Sequence, residues 1–236
     1  MKADLHVHTN YSYDGFCSPK EMVRAAIKKG IDCLCITDHN QIKGAVEAMK
    51  FAFDKNILIV PGIEILTTYG EMLGINVKKI IPDGLSPKEA IKQIRKQGGI
   101  AVIPHPFDKF FKGFWAGEKE IRDLLPDAIE VFNAGVILPS ANKKAFLFAD
   151  KNNFAFTAGS DSHKTEFVGL TYLEIPGKIL TEKDLVSAVM EKRGEVEGRA
   201  MSFQEKFKYI KNLAKADIVK EFVRYYRARE KTRDCH

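Results

Sequence analysis

The sequence has few cysteines and no long apolar run. Its 236 residues include four cysteines, whose spacing matches neither a disulfide framework nor a zinc ribbon. Cys33 and Cys35 alternate within an apolar strand and are expected to be small core residues. No segment is long and apolar enough to span a membrane. The N-terminus passes straight into the first motif without the apolar core of a signal peptide, so we expect a cytoplasmic protein.

Internal repeats, low-complexity tracts and an inter-domain linker are also missing. A chain of this length can form a single α/β barrel. The net charge of +6 is mildly basic, and most of the excess lies between residues 206 and 233, where basic residues outnumber acidic ones. This segment is either a solvated helix face with a frayed tail or a surface for nucleic acid. The sequence predicts no membrane partner and does not indicate an oligomeric state.

Strand-like and helix-like segments alternate along the chain. The apolar patterns predict strands at 3–7, 33–37, 57–66, 71–77, 100–103, 128–132, 154–158 and 169–175. Caps and helical spacing predict helices at 19–29, 41–53, 86–97, 118–125, 140–150, 181–192 and 203 to about 229. Such alternation indicates parallel strands joined by crossovers, closed into an irregular barrel. We expect a barrel over residues 1–200 and a basic, amphipathic helix and tail over 201–236.

Five of the six histidines occur at or just after the carboxyl end of a short apolar run, where barrel active sites lie. Acidic residues accompany them, so the predicted mouth holds His6, His8, Asp14, Asp38, His39, Glu64, Glu71, His105, Asp161 and His163. So many ionisable groups would be costly to bury together without cations. Imidazole and carboxylate ligands favour Zn²⁺, Mn²⁺ or Fe²⁺. The pattern therefore predicts a multinuclear metal site of the kind that hydrolyses phosphoesters.

Five motifs, taken together, resemble the polymerase and histidinol phosphatase (PHP) domain family. They are Asp4-Leu5-His6-Val7-His8-Thr9 with Ser12-Tyr13-Asp14-Gly15, Ile36-Thr37-Asp38-His39, Pro61-Gly62-Ile63-Glu64, Pro104-His105-Pro106, and Gly159-Ser160-Asp161-Ser162-His163. They occur in the family's order over roughly residues 1–200. The resemblance implies an α/β fold, a distorted (β/α)7 barrel of the PHP type with a C-terminal helical extension.

The resemblance also implies a ligand set for two or three divalent transition metals (Mn, Zn or Fe). His6, His8, Glu64 and Asp161 would hold the first ion, and Glu64, as a bridge, would hold the second with His105. The third ion would be held by Asp14, His39 and His163. These eight residues are the predicted catalytic set. Many relatives have a histidine ligand where Glu71 stands, so Glu71 is either a harder ligand of the same ion or a solvent-facing charge on a hairpin.

Other polar residues near the predicted mouth have less specific roles. Asp38 is expected to orient a ligand or cap the next helix. Asn133 either bonds a water in the site or caps a turn. Lys109, Lys164 and Arg199 are candidate phosphate-binding cations, with plain surface charges as the alternative. The aromatic and basic stretch at 107–115 could stack on a base or could pack on the barrel rim.

The leading hypothesis is a metal-dependent phosphoesterase that uses metal-activated water on a nucleotide or short oligonucleotide. A histidinol-phosphate-type small-molecule phosphatase is the alternative within this class. No serine or cysteine nucleophile is suggestively placed. A non-catalytic PHP module in nucleic-acid processing is the alternative from another class. Amide hydrolysis is disfavoured, because enzymes of that kind typically carry a metal-bridging carbamylated lysine where Glu64 stands here.

Overall fold

A computed structural model describes residues 1–108 and 117–215, with side chains up to residue 209. The strands are β1 (Lys2–Val7), β2 (Cys33–Ile36), β3 (Leu58–Thr67), β4 (Gly70–Ile75), β5 (Ile100–Ile103), β6 (Ala128–Asn133), β7 (Ala155–Gly159), β8 (Thr171–Glu174) and β9 (Glu195–Gly198). The helices are α1 (Pro19–Lys28), α2 (Lys43–Ala52), α3 (Pro87–Lys96), α4 (Glu118–Leu124), α5 (Pro139–Lys151), α6 (Glu182–Met190) and α7 (Phe203–Lys215).

Local capping determines where several helices begin. Ser18 accepts a hydrogen bond from the amide of Glu21, and the Glu21 carboxylate returns one to the Ser18 amide. Thr181 and Asp184 form the same reciprocal box at α6. Each box satisfies two backbone donors that a helix start leaves unpaired. These short-range contacts explain why the helix starts were predictable.

The sheet has the strand order β7-β6-β5-β4-β3-β2-β1-β8-β9. β1, β2 and β3 are parallel, as are β5, β6 and β7, which confirms the predicted alternation there. β4 pairs antiparallel with β3, as expected of the hairpin that carries Glu71, and also with β5. The expectation of parallel strands is wrong for β8, which pairs antiparallel with β1 and with β9. Only residues 68 and 69 join β3 to β4, whereas a parallel pair needs a crossover of about a dozen residues.

Strand β9 was not predicted. Its sequence Glu195-Val196-Glu197-Gly198 is mostly charged, and the strand lies at the edge of the sheet with exposed side chains. A strand at the edge of a sheet can bury little side-chain surface, so its sequence does not have to contain the apolar run by which strands are predicted.

The sheet closes into a distorted barrel where the segment after β7 meets β1. The Asp161 amide donates to the His6 carbonyl over 2.9 Å, and the His8 amide donates to the Ser162 carbonyl over 2.9 Å. A Cβ built on Gly159 would lie 2.4 Å from the Cβ of His6, so only glycine permits this approach. The closure therefore brings the predicted ligands of β1 next to those of the segment that follows β7.

The core consists of apolar side chains on both sides of the barrel wall. Cys33 and Cys35 are fully buried in the cluster that contains Leu5, Val102 and Leu173. Both are free thiols, which agrees with the prediction of small core residues. Among the described residues, no helix combines the length and the apolar character needed to cross a bilayer.

Candidate metal centre

Strand geometry directs the predicted ligands into the carboxyl end of the barrel. His6 and His8 are two residues apart at the end of β1, so both side chains face the same way. His39 follows β2 and forms an isolated parallel bridge with Glu64 on β3. His105 follows β5 with a φ of +28°. These four histidines and Glu64 are each at most 4% exposed, so the site lies within the barrel and not on its rim.

Glu64 occupies the middle of four imidazoles. Its Oε2 atom lies 3.2 Å from His8 Nε2, 3.3 Å from His39 Nδ1 and 3.5 Å from His6 Nε2. Its Oε1 atom lies 3.6 Å from His105 Nε2. Among the described residues, neither oxygen has a hydrogen-bond donor in acceptable geometry. A fully buried carboxylate with this environment is typical of a ligand that bridges cations.

A second convergence lies beside the first. Asp14 Oδ2 is 3.1 Å from His163 Nε2 and 3.6 Å from His39 Nε2. The His8 and His163 rings stack with their centroids 4.2 Å apart. His8, Asp14, His39 and His163 together offer four ligand atoms that lie within 4.8 Å of one another.

The potential ligand groups overlap, which indicates a cluster of cation sites. Besides the group around Asp14, the described residues form three groups with the same mutual spacing: His6, His105 and Asp161; His6, His8 and Glu64; and His39, Glu64 and Glu71. Metal–ligand bonds of roughly 2.0–2.2 Å place neighbouring ligand atoms about 3 to 3.5 Å apart. The shortest observed separations, 3.1 to 3.5 Å, fall in that range, and the nitrogen and oxygen donors suit Zn²⁺, Mn²⁺ or Fe²⁺. The residues present therefore fit divalent transition metals.

Glu71 faces into the barrel. Its side chain is 1% exposed, and its Oε2 atom lies 3.9 Å from His105 Nε2. The alternative of a solvent-facing hairpin charge is therefore wrong. The reason is the register of the hairpin, which pairs Glu71 with Leu66 and turns the side chain inward at the end of β3.

A serine and an aspartate orient two of the histidines. Asp38 accepts hydrogen bonds from the Thr9 amide over 2.6 Å and from the Ser12 hydroxyl over 3.0 Å. Ser12 Oγ lies 3.0 Å from His8 Nδ1 and accepts from the His39 amide over 3.0 Å. Asp38 therefore holds Ser12, which in turn directs His8 Nε2 towards Glu64, as such outer residues do in metal sites. Asp38 does not cap α2, which begins after Ile42.

Two further polar residues connect ligands from different strands. Asn133 Nδ2 lies 3.0 Å from Glu130 Oε2 and 3.3 Å from Asp161 Oδ2, while Asn133 Oδ1 accepts from the Gly135 amide. Asn133 thus faces the site and also closes a turn. Glu130 Oε1 lies 3.0 Å from His6 Nδ1. Glu130 was missed from the sequence, and the only signal for it was a lone carboxylate in the apolar strand Ile129-Glu130-Val131.

The crowded carboxylates change the proton affinity of the imidazoles. Burial disfavours the charged form of His8, but Asp161 and Glu64 outweigh burial and raise its pKa to about 9. Glu64 and neighbouring carboxylates likewise outweigh burial at His105 and raise its pKa to about 8. Burial opposes ionisation of Glu64, but His6 and His39 lower its pKa well below the usual range. Without cations, the site therefore binds protons in their place.

This proton binding predicts that the chelated protein loses stability as the pH rises. His8 and His105 have higher pKa values in the folded chain than in the unfolded chain. Their contribution is fully present below about pH 6.5 and is lost as the pH passes through 8 and 9. We expect the melting temperature of the chelated protein to fall between pH 6.5 and 9.5. Thermal melts of wild type and His8→Gln, both chelated, measure this decline.

The variant and the metal-loaded protein provide the controls. The decline should be shallower in His8→Gln, because one of the imidazoles with a raised pKa is gone. It should be absent in wild type with bound cations, because metal binding displaces these protons. A melting temperature of chelated wild type that stays constant over this range would contradict the assignment.

The predicted phosphate-binding cations lie in different surroundings. Lys164 Nζ is 4.6 Å from the centroid of the Phe16 ring. The Arg199 guanidinium donates to both oxygens of Glu205, over 2.7 and 2.9 Å. Lys109 and most of the stretch 107–115 lie outside the described residues. The role of all three cations in substrate binding stays a prediction.

The start of α7 packs on the loops that surround the site. The Tyr209 ring lies 5.8 Å from the His163 ring and 6.1 Å from the Phe167 ring, centroid to centroid. Lys206 Nζ donates to the Ile137 carbonyl over 3.1 Å. These contacts connect α7 to the loops after β6 and β7, so the helix forms part of the barrel mouth. The predicted course of this helix beyond residue 215 lies outside the described residues.

The sequence and the fold can be compared with known proteins. Residues 4–228 match the family model of the PHP domain. An uncharacterised protein of Methanocaldococcus jannaschii is 44% identical over 144 residues, which cover 57% of this chain and 82% of that protein. A 5′-3′ exoribonuclease of Haemophilus influenzae is 30% identical over 119 residues, which cover 45% of this chain and 43% of that enzyme.

Two solved structures share the fold. A two-domain protein of Bacteroides vulgatus, containing a predicted PHP-like metal-dependent phosphoesterase, has a TM-score of 0.69 at 19% identity, over 89% of this chain and 68% of its own. A lesion-specific endonuclease of Pyrococcus furiosus has a TM-score of 0.57 at 14% identity, over 80% of this chain and 56% of its own. Because the family model spans almost the whole chain and includes every predicted ligand, the protein belongs to the PHP domain family.

Proposed function

We propose that the protein is a metal-dependent phosphoesterase that hydrolyses a phosphate ester of a nucleotide or short oligonucleotide. The observation that carries the proposal is the set of overlapping ligand groups centred on Glu64. His6, His8, Asp14, His39, Glu64, His105, Asp161 and His163 form the proposed catalytic set, with Glu71 as an additional ligand. Several cations held this close together suit a phosphoryl group, which carries charge on several oxygens.

The residues of the chain supply placement and charge balance. Divalent cations, when bound, would activate a water molecule and neutralise phosphoryl charge. Glu64 would hold adjacent cations together, because its two oxygens face different imidazoles. Ser12 holds the imidazole of His8 and Glu130 holds that of His6, so that the Nε2 atom of each ring faces Glu64. The buried position of these groups excludes bulk water and strengthens the charge interactions at the phosphate.

A nucleotide or oligonucleotide substrate has support from several features. The exoribonuclease relative and the endonuclease that shares the fold both act on nucleic acid, as their names state. The chain's excess positive charge is concentrated after residue 205, in a segment that could contact phosphates. Tyr209 adds an aromatic side chain beside His163, where a base or ring could stack. We propose that the C-terminal segment over 201–236 contributes to substrate binding in this way.

One observation favours a terminal phosphate ester, which histidinol phosphate and a strand end both carry, over an internal phosphodiester. The first turns of α7 lie across the loops after β6 and β7, at the mouth. A helix in that position suits a terminal phosphate on a small molecule or strand end better than an internal phosphodiester in a long duplex.

A non-catalytic PHP module would not need the ligand groups that are present. A catalytic protein should retain roughly two or three equivalents of transition metal on purification.

A substrate screen with added Mn²⁺ tests the proposal. It compares nucleotides, 3′,5′-bisphosphates, short oligonucleotides, histidinol phosphate and an aryl phosphate, each with and without prior chelation. We expect turnover of a nucleotide or oligonucleotide at least tenfold above the others, and about a hundredfold lower turnover after chelation. Oligonucleotide binding at about 50 and 200 mM salt reports phosphate contacts, because each contact steepens the log–log salt dependence by about one unit.

The controls decide between the candidates. Highest turnover with histidinol phosphate would favour the small-molecule alternative. Turnover that survives confirmed removal of metal would contradict the metal-dependent mechanism. A protein that holds metal but hydrolyses none of these esters would favour the non-catalytic module.

A further inference from the structure

Glu130 is a buried carboxylate that contacts the ligands of two proposed cation sites without belonging to any ligand group. It lies on β6 and is 1% exposed. Its Oε1 atom lies 3.0 Å from His6 Nδ1. Its Oε2 atom accepts from the His105 amide over 2.9 Å and from Asn133 Nδ2 over 3.0 Å. One carboxylate thus joins elements that are far apart in the sequence.

The contact with His6 determines which imidazole nitrogen is available to a cation. A carboxylate accepts hydrogen bonds, so His6 carries its proton on Nδ1 and donates it to Glu130. Nε2 then presents its lone pair to the middle of the site, where it lies 3.5 Å from both Glu64 and Asp161. The adjacent negative charge also makes the imidazole a stronger ligand.

The contact with His105 holds the backbone in an uncommon conformation. His105 has a φ of +28°, which a non-glycine residue adopts only when its surroundings require it. The hydrogen bond from its amide to Glu130 Oε2 fixes this turn. In that conformation, His105 Nε2 lies 3.6 Å from Glu64 Oε1.

The third contact extends the network to Asp161. Asn133 donates to Glu130 and, through the same Nδ2 atom, to Asp161 Oδ2 over 3.3 Å. Asp161 also belongs to a ligand group with His6 and His105. Asp14 and His39 belong to the neighbouring convergence, where Asp14 Oδ2 lies 3.1 Å from His163 Nε2 and 3.6 Å from His39 Nε2.

We propose that Glu130 is a positioning residue that sets the affinity of the first and second cation sites and leaves the third unchanged. The first site is the one at His6, His8, Glu64 and Asp161, the second is at Glu64, Glu71 and His105, and the third is at Asp14, His39 and His163. The inference rests on the metal centre of the proposed function and is independent of the substrate.

Glutamine cannot reproduce these contacts, although it has the same shape. The side chain receives hydrogen bonds from donors at both oxygens, namely His6 Nδ1, the His105 amide and Asn133 Nδ2. A carboxamide replaces one acceptor oxygen with an NH2 group. That group faces either the two donors at the Oε2 position or His6 Nδ1, and His6 must then move its proton to Nε2. The change therefore releases either His6 or His105 at nearly constant volume.

The experiment compares Glu130→Gln with Thr157→Val in the full-length protein. Thr157 is a matched control, because it is 1% exposed and pairs in register with Glu130 on the neighbouring strand. Zn²⁺ titration against a competing chelator measures the affinity of each equivalent. In Glu130→Gln, we expect two equivalents of Zn²⁺ to bind more weakly by about 10- to 100-fold, the usual loss when a residue that holds a metal ligand is changed. The remaining equivalent, and all of those in Thr157→Val, should match wild type.

Two results would overturn the inference: wild-type Zn²⁺ affinity in Glu130→Gln, or an equal loss in Thr157→Val. If Glu130→Gln does not fold, ¹⁵N NMR of the wild-type histidines in the Zn²⁺ complex decides. We expect His6 to carry its proton on Nδ1, and a deprotonated Nδ1 would refute the assigned role. Neither measurement uses turnover, so a metal-binding but inactive wild type would refute the phosphoesterase and leave the role of Glu130 standing.

Discussion

Glu64→Gln is expected to lower turnover of an aryl phosphate at least a hundredfold, about the loss in rate seen when one preorganised group is removed from an active site. The same substitution should reduce the metal content by more than one equivalent. The carboxylate lies within 3.2 to 3.6 Å of His8, His39, His6 and His105. A neutral amide removes the negative charge that would balance adjacent cations. Its NH2 group would also point at an imidazole or a cation, so the site would lose more than one favourable contact.

His163→Asn is the matched control for Glu64. His163 is a buried imidazole that belongs to a single potential ligand group, whereas Glu64 belongs to two. The control should therefore lose at most one equivalent of metal. Elemental analysis and initial rates on both purified variants measure the difference. Wild-type metal content in Glu64→Gln would show that this carboxylate does not bridge cations.

Gly159→Ala is expected to have the largest effect on stability, of about 3 kcal/mol or more, the upper end for overpacking in a tight core. The added Cβ would lie 2.4 Å from His6 Cβ and 2.7 Å from the His6 backbone nitrogen. Because part of the obstacle is backbone, a side-chain rotation cannot relieve it. β1 would have to move away from β7, and the closure that aligns His6 and His8 with Asp161 would open.

Gly117→Ala is the control for this substitution. Among the described residues, a Cβ there would meet only the Glu120 carboxylate, the far end of a flexible side chain, with Oε2 at 2.8 Å. We expect a smaller loss of about 1 kcal/mol, because Gly117 is the N-cap of α4 and alanine is a poorer cap than glycine. Denaturant unfolding of the chelated variants gives both free energies, and metal titration then tests whether Gly159→Ala also weakens the site. Equal stability of the two variants would contradict the tight closure.

Much of the fold could be predicted because its signals are local. Ser18, Glu21 and Pro19 define the start of α1 within four residues of sequence. Buried runs such as Cys33–Ile36 define strands by composition. The antiparallel direction of β4 was predictable as well, because the short link after Thr67 excludes a crossover. The antiparallel direction of β8 was not, because a strand pattern carries no information on direction.

The candidate site could be predicted only in part. The ligands of a cation are a restricted set of residue types, so histidines and acids at strand ends stand out in the sequence. Glu130 does not, because an isolated glutamate in an apolar strand has no pattern of its own. Its meaning depends on His6, 124 residues away in the chain. Tyr209 is similar, since nothing in its helical spacing indicates that it lies beside His163.

The sequence by itself determined the chemistry of the centre, because the identity and order of the imidazoles and carboxylates at the strand ends are local properties of the chain. The tertiary structure decided how these groups are used. It turned Glu71 inward through the register of the hairpin and placed Glu64 among four imidazoles. It also brought Glu130 into contact with His6, and Asp38 into contact with Ser12. The physical reason is that register and barrel closure depend on contacts between distant strands, and no short segment of sequence contains them.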